Sequence, residues 1–535
     1  MKKELYLILN IVGGLSLFLT GSCRSIDTEN ILSGSGSSAV SFNLLGSEFG
    51  DSGKLANQAS LAKRNLSNYA NSVQQHSVLL TPSSIITAEL SPPSDVSKAP
   101  IQASLGTNFI AATPGNPITL GMKFRVIAYR SNGNYHTHQD YTVGQPAVPI
   151  MLDNGTAYNI VVYSYGTTSL PIISSGEKSN INSATVNYDD NTRDFMYQKI
   201  PFTPANYTNN TLNIKLRHKV AQITTILNSS SLGNITAITG GLLTPHYSNG
   251  VVSLSTGVMS GRSNVTSGAG LSFSGLNTTE VTAEPVFINS ATSGSNTGGF
   301  SAAITIAGTT KAISFPNLFK ITPENNSVLT INLRKCGAYI GPNTNSANYK
   351  EFMCQNLGAT EGINPFSPEA GNHGAKYQWG ATTGETGRYI SQSDDQSIIG
   401  DIPGRNTTTK PLDSWSDTSK TANDPCPEGY RVPTNAQWQA VIANNNVERV
   451  GSWDNSLTNY SSALYFRNPS NIRTLMLPTA GYRNSSSSIG GRGSVGYYWS
   501  STASNINALS FSSSSVSAGA SGVLYHAMSV RCISQ

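Results

Sequence analysis

The cysteines are the residues whose number and spacing say most about the chemistry of this chain. There are five, of which Cys23 lies near the N-terminus and Cys336, Cys354, Cys426 and Cys532 lie in the last two-fifths of the sequence. No pair has the C-x-x-C spacing that a structural zinc site requires. Apart from Cys23, four cysteines remain. In an exported chain an even number of cysteines predicts disulfides, and four cysteines can form two disulfides in three possible pairings.

Other residues suited to catalysis or metal binding are isolated. His136 and His138 are two apart near a predicted strand, but no third ligand accompanies them, so we expect surface histidines. His373 lies between glycines and is expected to be a loop residue rather than a catalytic base. Asp394 and Asp395 are interpreted as a solvated pair rather than a calcium site. The sequence therefore predicts no enzyme, no metal and no cofactor.

The composition of the chain restricts its possible fold classes and binding partners. The chain has 535 residues, with 34 Lys and Arg against 29 Asp and Glu, a net charge of +5 and only 12% charged residues. After the N-terminus no basic run exceeds two residues, which argues against nucleic-acid binding. The polar residues are largely Ser, Thr, Asn and Gly, and no helical period persists. These features predict a multidomain, mainly β protein and disfavour all-α and doubly wound α/β folds.

The N-terminal segment has the features of an export signal. Two lysines precede an apolar stretch over residues 5–19, which is too short to span a bilayer, and small residues lead up to Cys23. This segment resembles the signal peptide of a bacterial lipoprotein. It departs from the usual pattern because Leu19 stands four residues before the cysteine rather than three.

The lipoprotein resemblance implies a signal peptide over residues 1–22 and a lipid on Cys23. Arg24 is not the aspartate that retains such proteins at the inner membrane, so an outer-membrane, cell-surface location is expected. The alternative is ordinary signal-peptidase cleavage near Ser22. No later segment is apolar enough to span a bilayer, so lipid would be the only anchor.

The middle of the chain alternates as β-strands do. Residues 124–130 and 135–143 flank a Ser-Asn-Gly-Asn turn and predict a hairpin. Residues 212–216 and 329–333 alternate apolar with polar side chains, as in half-buried strands. With a break near residues 201–204, we predict a first strand within 40–45 and a flexible loop inside segment 23–75, followed by β-sandwiches over 76–204 and 205–335.

Three segments of this β-rich part resemble the fimbrillin-like (Mfa-like) lipoproteins of Bacteroidota: residues 158–165, 193–197 and 216–223. The resemblance covers roughly residues 24–335. It implies two transthyretin-like β-sandwiches, and it implies other fimbrial subunits as partners.

In that family the precursor is cut after an arginine in an N-terminal loop, which removes the first strand, and a strand of a neighbouring subunit fills the groove. An open sheet edge is a template for such β-strand addition. Arg64 is the candidate processing residue of this chain. The alternative interpretation is that Lys63 and Arg64 are simply a solvated pair in a linker.

Residues 336–535 have a different character, since all five tryptophans lie beyond residue 370. Thr434 and Gln437 form a capping box ahead of a predicted helix that begins at Asn435. This helix and the segments around it resemble the Fibrobacter succinogenes major paralogous domain: residues 352–358, 377–380, 424–442, 475–483, 496–502 and 529–533. The resemblance implies an α+β, C-type-lectin-like fold related to the formylglycine-generating enzymes.

The same resemblance implies a disulfide between Cys426 and Cys532, which leaves Cys336 for Cys354. The reactive cysteine pair of the formylglycine-generating enzymes has no counterpart here, because no cysteine lies between Cys426 and Cys532. The motifs of calcium-dependent lectins are also absent. Trp438 and Trp499 belong to the family motifs and are expected in the core. The ligand-binding candidates are aromatic: Trp415, Trp453, Tyr482, Tyr497 and Tyr498. Trp415 and Trp453 lie in polar loops, and for these two the alternative is packing inside the domain.

Together these features predict a surface lipoprotein, a tip or accessory adhesin of a type V-like fimbria. It would accept a partner strand and present a lectin-like C-terminal domain to a glycan or to a host or bacterial surface protein. The alternative is a monomeric glycan- or protein-binding lipoprotein of the outer membrane that never enters a fimbria. A catalytic relative of the formylglycine-generating enzymes is disfavoured by the cysteine placement.

Overall fold

The protein is mainly β, with three successive bodies of strands. A computed structural model describes residues 36–50, 73–93, 115–189, 194–206, 210–229, 232–290, 297–398, 400–503 and 507–535. Its first ten strands are β1 Ser37–Glu48, β2 Gln74–Thr81, β3 Ser84–Ser91, β4 Lys123–Arg130, β5 Tyr135–Thr142, β6 Ile150–Asp153, β7 Tyr158–Ser164, β8 Thr185–Asp189, β9 Met196–Phe202 and β10 Asn210–His218.

The first body is built on a seven-stranded sheet in the order β5-β4-β7-β9-β10-β1-β6. Strands β4 and β7 are buried on both faces, as expected for central strands that are covered on each side. One face packs around Val40, Val126 and Ile214. The other face packs Tyr129 and Val161 against a small sheet that includes β8.

The second body is a sandwich of two sheets around one apolar core. Its sheets have the orders β16-β11-β20-β3-β2 and β15-β12-β18-β19. Its alternating strands turn Ile223, Leu329 and Ile331 inward, as the period of two predicts. The strands of this part of the chain are β11 Ala221–Asn228, β12 Ile235–Thr244, β13 Asn249–Ser253, β14 Met259–Ser260, β15 Ala269–Gly270, β16 Glu280–Thr282, β17 Val286–Ile288, β18 Gly298–Ile306, β19 Thr309–Phe319 and β20 Asn326–Lys335.

The C-terminal domain has short strands, long loops and two helices. Its helices are α1 Gln392–Ser397 and α2 Asn435–Asn444. Its strands are β21 Gly337–Tyr339, β22 Tyr349–Glu351, β23 Lys376–Gln378, β24 Tyr389–Ile390, β25 Tyr430–Arg431, β26 Asn446–Val450, β27 Ala463–Arg467, β28 Arg473–Pro478, β29 Tyr482–Arg483, β30 Ile489–Gly490, β31 Gly496–Trp499, β32 Asn507–Phe511, β33 Val516–Ser521, β34 Ala527–Met528 and β35 Ile533–Ser534.

Helix α2 forms as the sequence predicts. The Thr434 hydroxyl accepts from the Gln437 backbone N–H, and the Gln437 side chain accepts from the Thr434 backbone N–H, so the capping box is confirmed. The helix turns Trp438 and Val441 into a core shared with Phe352. Trp438 and Trp499 are both fully buried, which confirms that they are core residues.

The strands are divided between the first two bodies differently from the predicted boundaries. Strand β10 lies beyond the predicted break at residue 204 but belongs to the first sheet, where it pairs with β1 and β9. Strands β2 and β3 were assigned to the first sandwich, but they pair within the second body, β3 with β20. The physical reason is that alternation sets which face of a strand is buried but not which distant strand it pairs with.

The turn between β2 and β3 joins the second body to the C-terminal domain. The backbone N–H groups of Cys336 and Cys354 donate to the carbonyls of Ser83 and Pro82, each at 2.7 Å. The Ser83 hydroxyl donates to Glu351 at 2.6 Å. Ile85 packs against both cysteines. Hydrogen bonds and apolar packing therefore hold the start of the C-terminal domain against this turn.

Candidate functional site

Strand β1, the first strand within the described residues, lies inside its sheet rather than at an edge. It pairs in parallel with β10 at eight positions, from Val40–Asn210 to Glu48–Arg217, and antiparallel with β6. By contrast, β10 pairs with β9 at only two positions. Most of the backbone pairing of β10 therefore depends on β1.

Strand β1 lies in a groove between β10 and β6, and its side chains fill apolar pockets along that groove. Val40 is fully buried, and Phe42 and Leu44 pack against the same core. Phe42 also meets the Tyr141 ring edge-on, with 5.7 Å between ring centroids. A cavity of about 390 Å³ beside them is lined by Phe42, Leu44, Phe124 and Tyr141. The groove thus combines backbone hydrogen bonds with pockets for alternate apolar side chains.

The end of β1 is held by a separate set of contacts. The Phe49 ring, just beyond β1, stacks on His218 with 3.9 Å between centroids and an interplanar angle of 9°. Glu48 pairs with Lys215 at 3.3 Å and with Arg217 at 3.1 Å. Gly50 donates a backbone hydrogen bond to Glu324 of the second body. The lipidation candidate Cys23 and the processing candidate Arg64, on either side of β1 in sequence, lie outside the described residues.

Two of the aromatic ligand candidates are buried. Trp415 is 1% exposed, packs on Trp379 and donates its indole N–H to the Asn423 carbonyl at 3.0 Å. Tyr498 is fully buried and donates its hydroxyl to the Pro478 carbonyl at 2.9 Å. The expectation that they contact ligand is wrong because their polar atoms are already satisfied inside the domain. Trp453 is half-buried and rests edge-on against Phe511.

The remaining candidates, Tyr482 and Tyr497, come together at the surface with two residues that the sequence did not suggest. Tyr482 meets Tyr497 edge-on at 5.2 Å and stacks on His526 at 5.1 Å, and Tyr525 meets His526 edge-on at 5.3 Å. We name Tyr482, Tyr497, Tyr525 and His526 the tyrosine cluster. Tyr525 is 38% exposed, and the other three are half-buried. Tyr525 and His526 follow a Gly-Val-Leu loop and had no motif to mark them.

The tyrosine cluster offers aromatic area and hydroxyl groups, and no carboxylate is among its members. Burial, and after it the charge of Arg405, lowers the pKa of His526, so this ring is neutral at pH 7. Burial beside Tyr482 raises the pKa of Tyr497, so its hydroxyl stays protonated. Flat rings with polar edges suit a sugar ring or an interface residue of a protein.

The C-terminal end of the chain is closed into its domain by a disulfide. The structure contains both pairings that the resemblance implies, Cys426–Cys532 and Cys336–Cys354. Strand β35 pairs with β25. Cys532 is fully buried. The last strand is therefore part of a packed core.

Several polar residues differ from expectation. Asp395, interpreted as solvated, is 1% exposed and bound by Arg483 and Arg492. His373 is fully buried below a short 3₁₀ turn. The polar sequence around both residues concealed this burial, which depends on arginines some 90 to 120 residues away in the chain. His136 and His138 lie on β5, where they contact Arg130 and Tyr135.

The described residues also bear on metal binding and membrane insertion. Among them, no group of three or more His, Cys, Asp or Glu side chains is placed to hold a metal ion. No helix within the described ranges is long and apolar enough to cross a membrane.

Comparisons with known proteins give one domain match and several structural likenesses. A candidate cell adhesion protein from Bacteroides fragilis is 10% identical, with a TM-score of 0.29, over 55% of this chain and 93% of its own. A fimbrial assembly protein from Parabacteroides distasonis is 8% identical, with a TM-score of 0.27, over 40% of this chain and 83% of its own. The fimbrial anchor protein Mfa2 from Porphyromonas gingivalis is 13% identical, with a TM-score of 0.26, over 42% of this chain and 86% of its own.

Among curated proteins, none matches the chain. The family model of the Fibrobacter succinogenes major domain matches residues 329–534, from within β20 to the penultimate residue. The helix α2, its capping box and the strands around it lie inside this range. The C-terminal part of the chain, residues 329–534, is therefore similar to the Fibrobacter succinogenes major domain.

Proposed function

We propose that this chain is a cell-surface lipoprotein of a fimbrial system, a tip or accessory adhesin that accepts a partner strand in place of β1. The observation that carries the proposal is the position of β1 between β10 and β6. Its loss would open a groove eight residues long with apolar sockets at Val40, Phe42 and Leu44. Lipid attachment at Cys23 and cleavage after Arg64 are parts of the same proposal.

The closed C-terminus supports a terminal place in the assembly. A subunit that extends a fibre must offer a free strand as well as a groove. Here the end of the chain pairs in β35 and is tied by Cys532 to Cys426. Such a chain could accept a strand in place of β1, whereas donating β35 would require breaking its pairing with β25 and opening the domain around Cys532. It would therefore cap a fibre or stand beside one.

The C-terminal domain is then the binding head, with a lectin-like role, and the tyrosine cluster is its contact surface. The ligand would be a glycan or a protein surface with exposed apolar and hydroxyl groups. Tyr482 is held against the backbone of Gly490, where a Cβ would come within 2.8 Å of the Tyr482 ring. A rigid ring loses less conformational entropy on binding than a mobile one.

Strand exchange tests the proposal. The folded protein would be cut at Arg64 with an arginine-specific protease and mixed with a labelled peptide of residues 37–48. Exchange of this peptide into the cut protein, and much slower exchange into the uncut protein, is the expected result. The control peptide carries Phe42→Asp and Leu44→Asp, which places charges in apolar sockets.

The control protein carries Arg64→Ala and should resist cutting and exchange. If the cut protein retains its own β1 and takes up no peptide, strand acceptance is excluded. The monomeric surface lipoprotein then remains, and the tyrosine cluster alone would carry the binding function.

A further inference from the structure

The C-terminal domain contains a buried cluster with more positive than negative charge. Lys376, Arg483 and Arg492 surround Asp395, and all four side chains are at most 1% exposed. Within the described part of the chain, no second carboxylate pairs with these three cations. Full ionisation therefore leaves an excess of two positive charges, and uncompensated buried charge costs several kcal/mol per ion.

Arg483 is fully satisfied, whereas its neighbours are not. Arg483 donates to the Asp395 carboxylate and to the carbonyls of Asp395, Ile398, Gly400 and Ser487. Lys376 Nζ lies 3.4 Å from Asp395 Oδ2 but makes no hydrogen bond. Arg492 Nε is buried without a hydrogen-bond partner. These are strong donors that a native interior rarely leaves unused.

A third unused nitrogen belongs to His373. Its Nε2 lies 3.2 Å from the Pro368 carbonyl, while its Nδ1 is buried without a partner. Burial, and after it the charges of Lys376 and Arg492, lowers the pKa of His373 to about 3, so the ring is neutral at pH 7. Because a carbonyl only accepts, the single N–H of the neutral ring is on Nε2, and Nδ1 is an acceptor rather than a third donor.

Shared contacts place the three nitrogen-bearing groups near one another. Lys376 and Arg492 both reach the same Asp395 oxygen, at 3.4 and 2.8 Å. His373 and Arg492 both contact the Tyr460 ring, with 4.9 Å between the ring centroids of His373 and Tyr460 and 5.4 Å from Arg492 Cζ to the Tyr460 centroid. The unused donors therefore belong to a single neighbourhood in which positive charge exceeds negative charge.

We propose that Lys376 and Arg492, beside the His373 ring, bind a small monovalent anion, of which chloride is the simplest, inside the C-terminal domain. The anion would accept from Lys376 Nζ and Arg492 Nε and reduce the excess positive charge. It would join loop 371–376 to the arginine-bearing segment at 492, two parts of the domain that are distant in sequence. This site is independent of the strand groove and of the tyrosine cluster.

The protonation of Lys376 differs between a site that holds an anion and a site that does not. Burial lowers the pKa of Lys376, an effect that Asp395 opposes and Arg492 reinforces. Without an anion, the amine can lose its proton and relieve the charge excess. With an anion, the ammonium is retained and stability becomes dependent on anion concentration.

Thermal unfolding of the full chain in sodium chloride and in sodium gluconate at equal ionic strength tests the site. We expect the Tm of the C-terminal domain to rise on the order of 5 °C in chloride. In Lys376→Met the rise should fall by at least half. Lys350→Met, which removes a half-buried lysine of β22 that donates to the Gln535 carbonyl, should keep the rise.

Bromide provides a readout that does not depend on the stability of any variant. Crystals of the unaltered protein soaked in bromide should show an anomalous peak within hydrogen-bonding distance of Lys376 Nζ and Arg492 Nε. Equal Tm values in chloride and gluconate would overturn the proposal, as would equal chloride effects in the protein and in Lys376→Met. A bromide soak without a peak at the cluster would overturn it as well.

Discussion

Buried charges impose the strictest requirements at the scale of single residues. Asp395 is held by Arg483 at 2.8 Å and by Arg492 at 2.8 Å, and both arginines and Lys376 hold its pKa below the usual range. Both arginines also donate to the backbone carbonyl of Asp395, which holds α1 in place. One acidic side chain therefore organises three distant segments of the domain.

Asp395→Asn should destabilise the C-terminal domain strongly. The substitution leaves three buried cations without a carboxylate, and breaking a buried pair in this way costs about 3–5 kcal/mol. Asp401, which is exposed and follows α1 in the chain, provides the matched variant. Asp401→Asn should cost less than about 0.5 kcal/mol. Urea unfolding followed by tryptophan fluorescence measures both. Equal stabilities of the two variants would contradict the role assigned to Asp395.

Glu448 gives a pH-dependent prediction near the surface. Arg473 and then Arg467 lower its pKa to about 2, against about 4.3 in an unfolded chain. Because the folded-state pKa is depressed, its contribution is present above about pH 4.3 and is lost as the pH falls towards 2.

Unfolding free energies of the protein and of Glu448→Gln should therefore differ by about 1–2 kcal/mol at pH 6 and converge near pH 2. The pair is partly screened, since the Glu448 side chain is 25% exposed. A difference that does not change with pH would show that the ion pairs with Arg467 and Arg473 contribute nothing.

Residue patterns predicted some side-chain environments and missed others. Trp438 and its capping box follow from local spacing, and the structure confirms both. Trp415 stands in a polar segment, yet it is buried in an apolar cluster with Trp379 and Cys426, and its indole N–H is satisfied by the Asn423 carbonyl. Asp395 is likewise buried by partners that are far away in sequence. Local polarity therefore failed wherever burial depends on distant residues.

At the scale of elements, the two disulfides close loops of very different length. Cys426–Cys532 closes a loop with a sequence separation of 106, whereas Cys336–Cys354 spans 18. In the chain-entropy model the longer loop restricts the unfolded chain more, by about 4.7 kcal/mol against about 3 kcal/mol.

Replacing both cysteines of Cys426–Cys532 by serine should therefore cost more than replacing those of Cys336–Cys354. Losses of about 2–5 kcal/mol are expected, with the larger value for the first pair. Denaturant unfolding of the two double variants is the measurement, and each serves as the control for the other. The reverse order would show that native packing, not loop closure, decides the effect.

Strand existence was predicted from the sequence more fully than strand pairing. The hairpin of β4 and β5 and the alternating strands β10 and β20 are confirmed. The parallel pairing of β1 with β10 was not predictable, because alternation carries no information on the direction of a partner. The same limit explains why β2 and β3 were assigned to the wrong body.

At the scale of the whole molecule, the proposed strand groove and the proposed binding surface lie in different bodies. The groove under β1 lies in the first body, and the tyrosine cluster lies in the C-terminal domain. The turn between β2 and β3 connects the second body to that domain through Pro82 and Ser83. Because Gln74 follows Arg64 in the chain, a cut at Arg64 would leave this connection intact.

Gly490→Ala tests the proposed binding role of the C-terminal domain without unfolding the domain. The added methyl would displace the Tyr482 ring, since the Cβ would stand 2.8 Å from two of its atoms. We expect adhesion of the whole protein to a glycan array or to cell surfaces to fall at least tenfold, while Tm changes by only a few degrees. Gly400→Ala, at a glycine of the same domain with open space around it and no left-handed φ, is the control. Unchanged adhesion in Gly490→Ala would remove the tyrosine cluster as the contact surface.

The central claim, that β1 is removed and its groove filled, is tested most directly by N-terminal mass spectrometry of the protein sheared or extracted from its native cells. We predict a mature chain that begins at Asn65 without lipid and is associated with another subunit. A population that consists only of lipid-modified chains beginning at Cys23, with β1 retained, would contradict strand replacement and leave a monomeric surface lipoprotein.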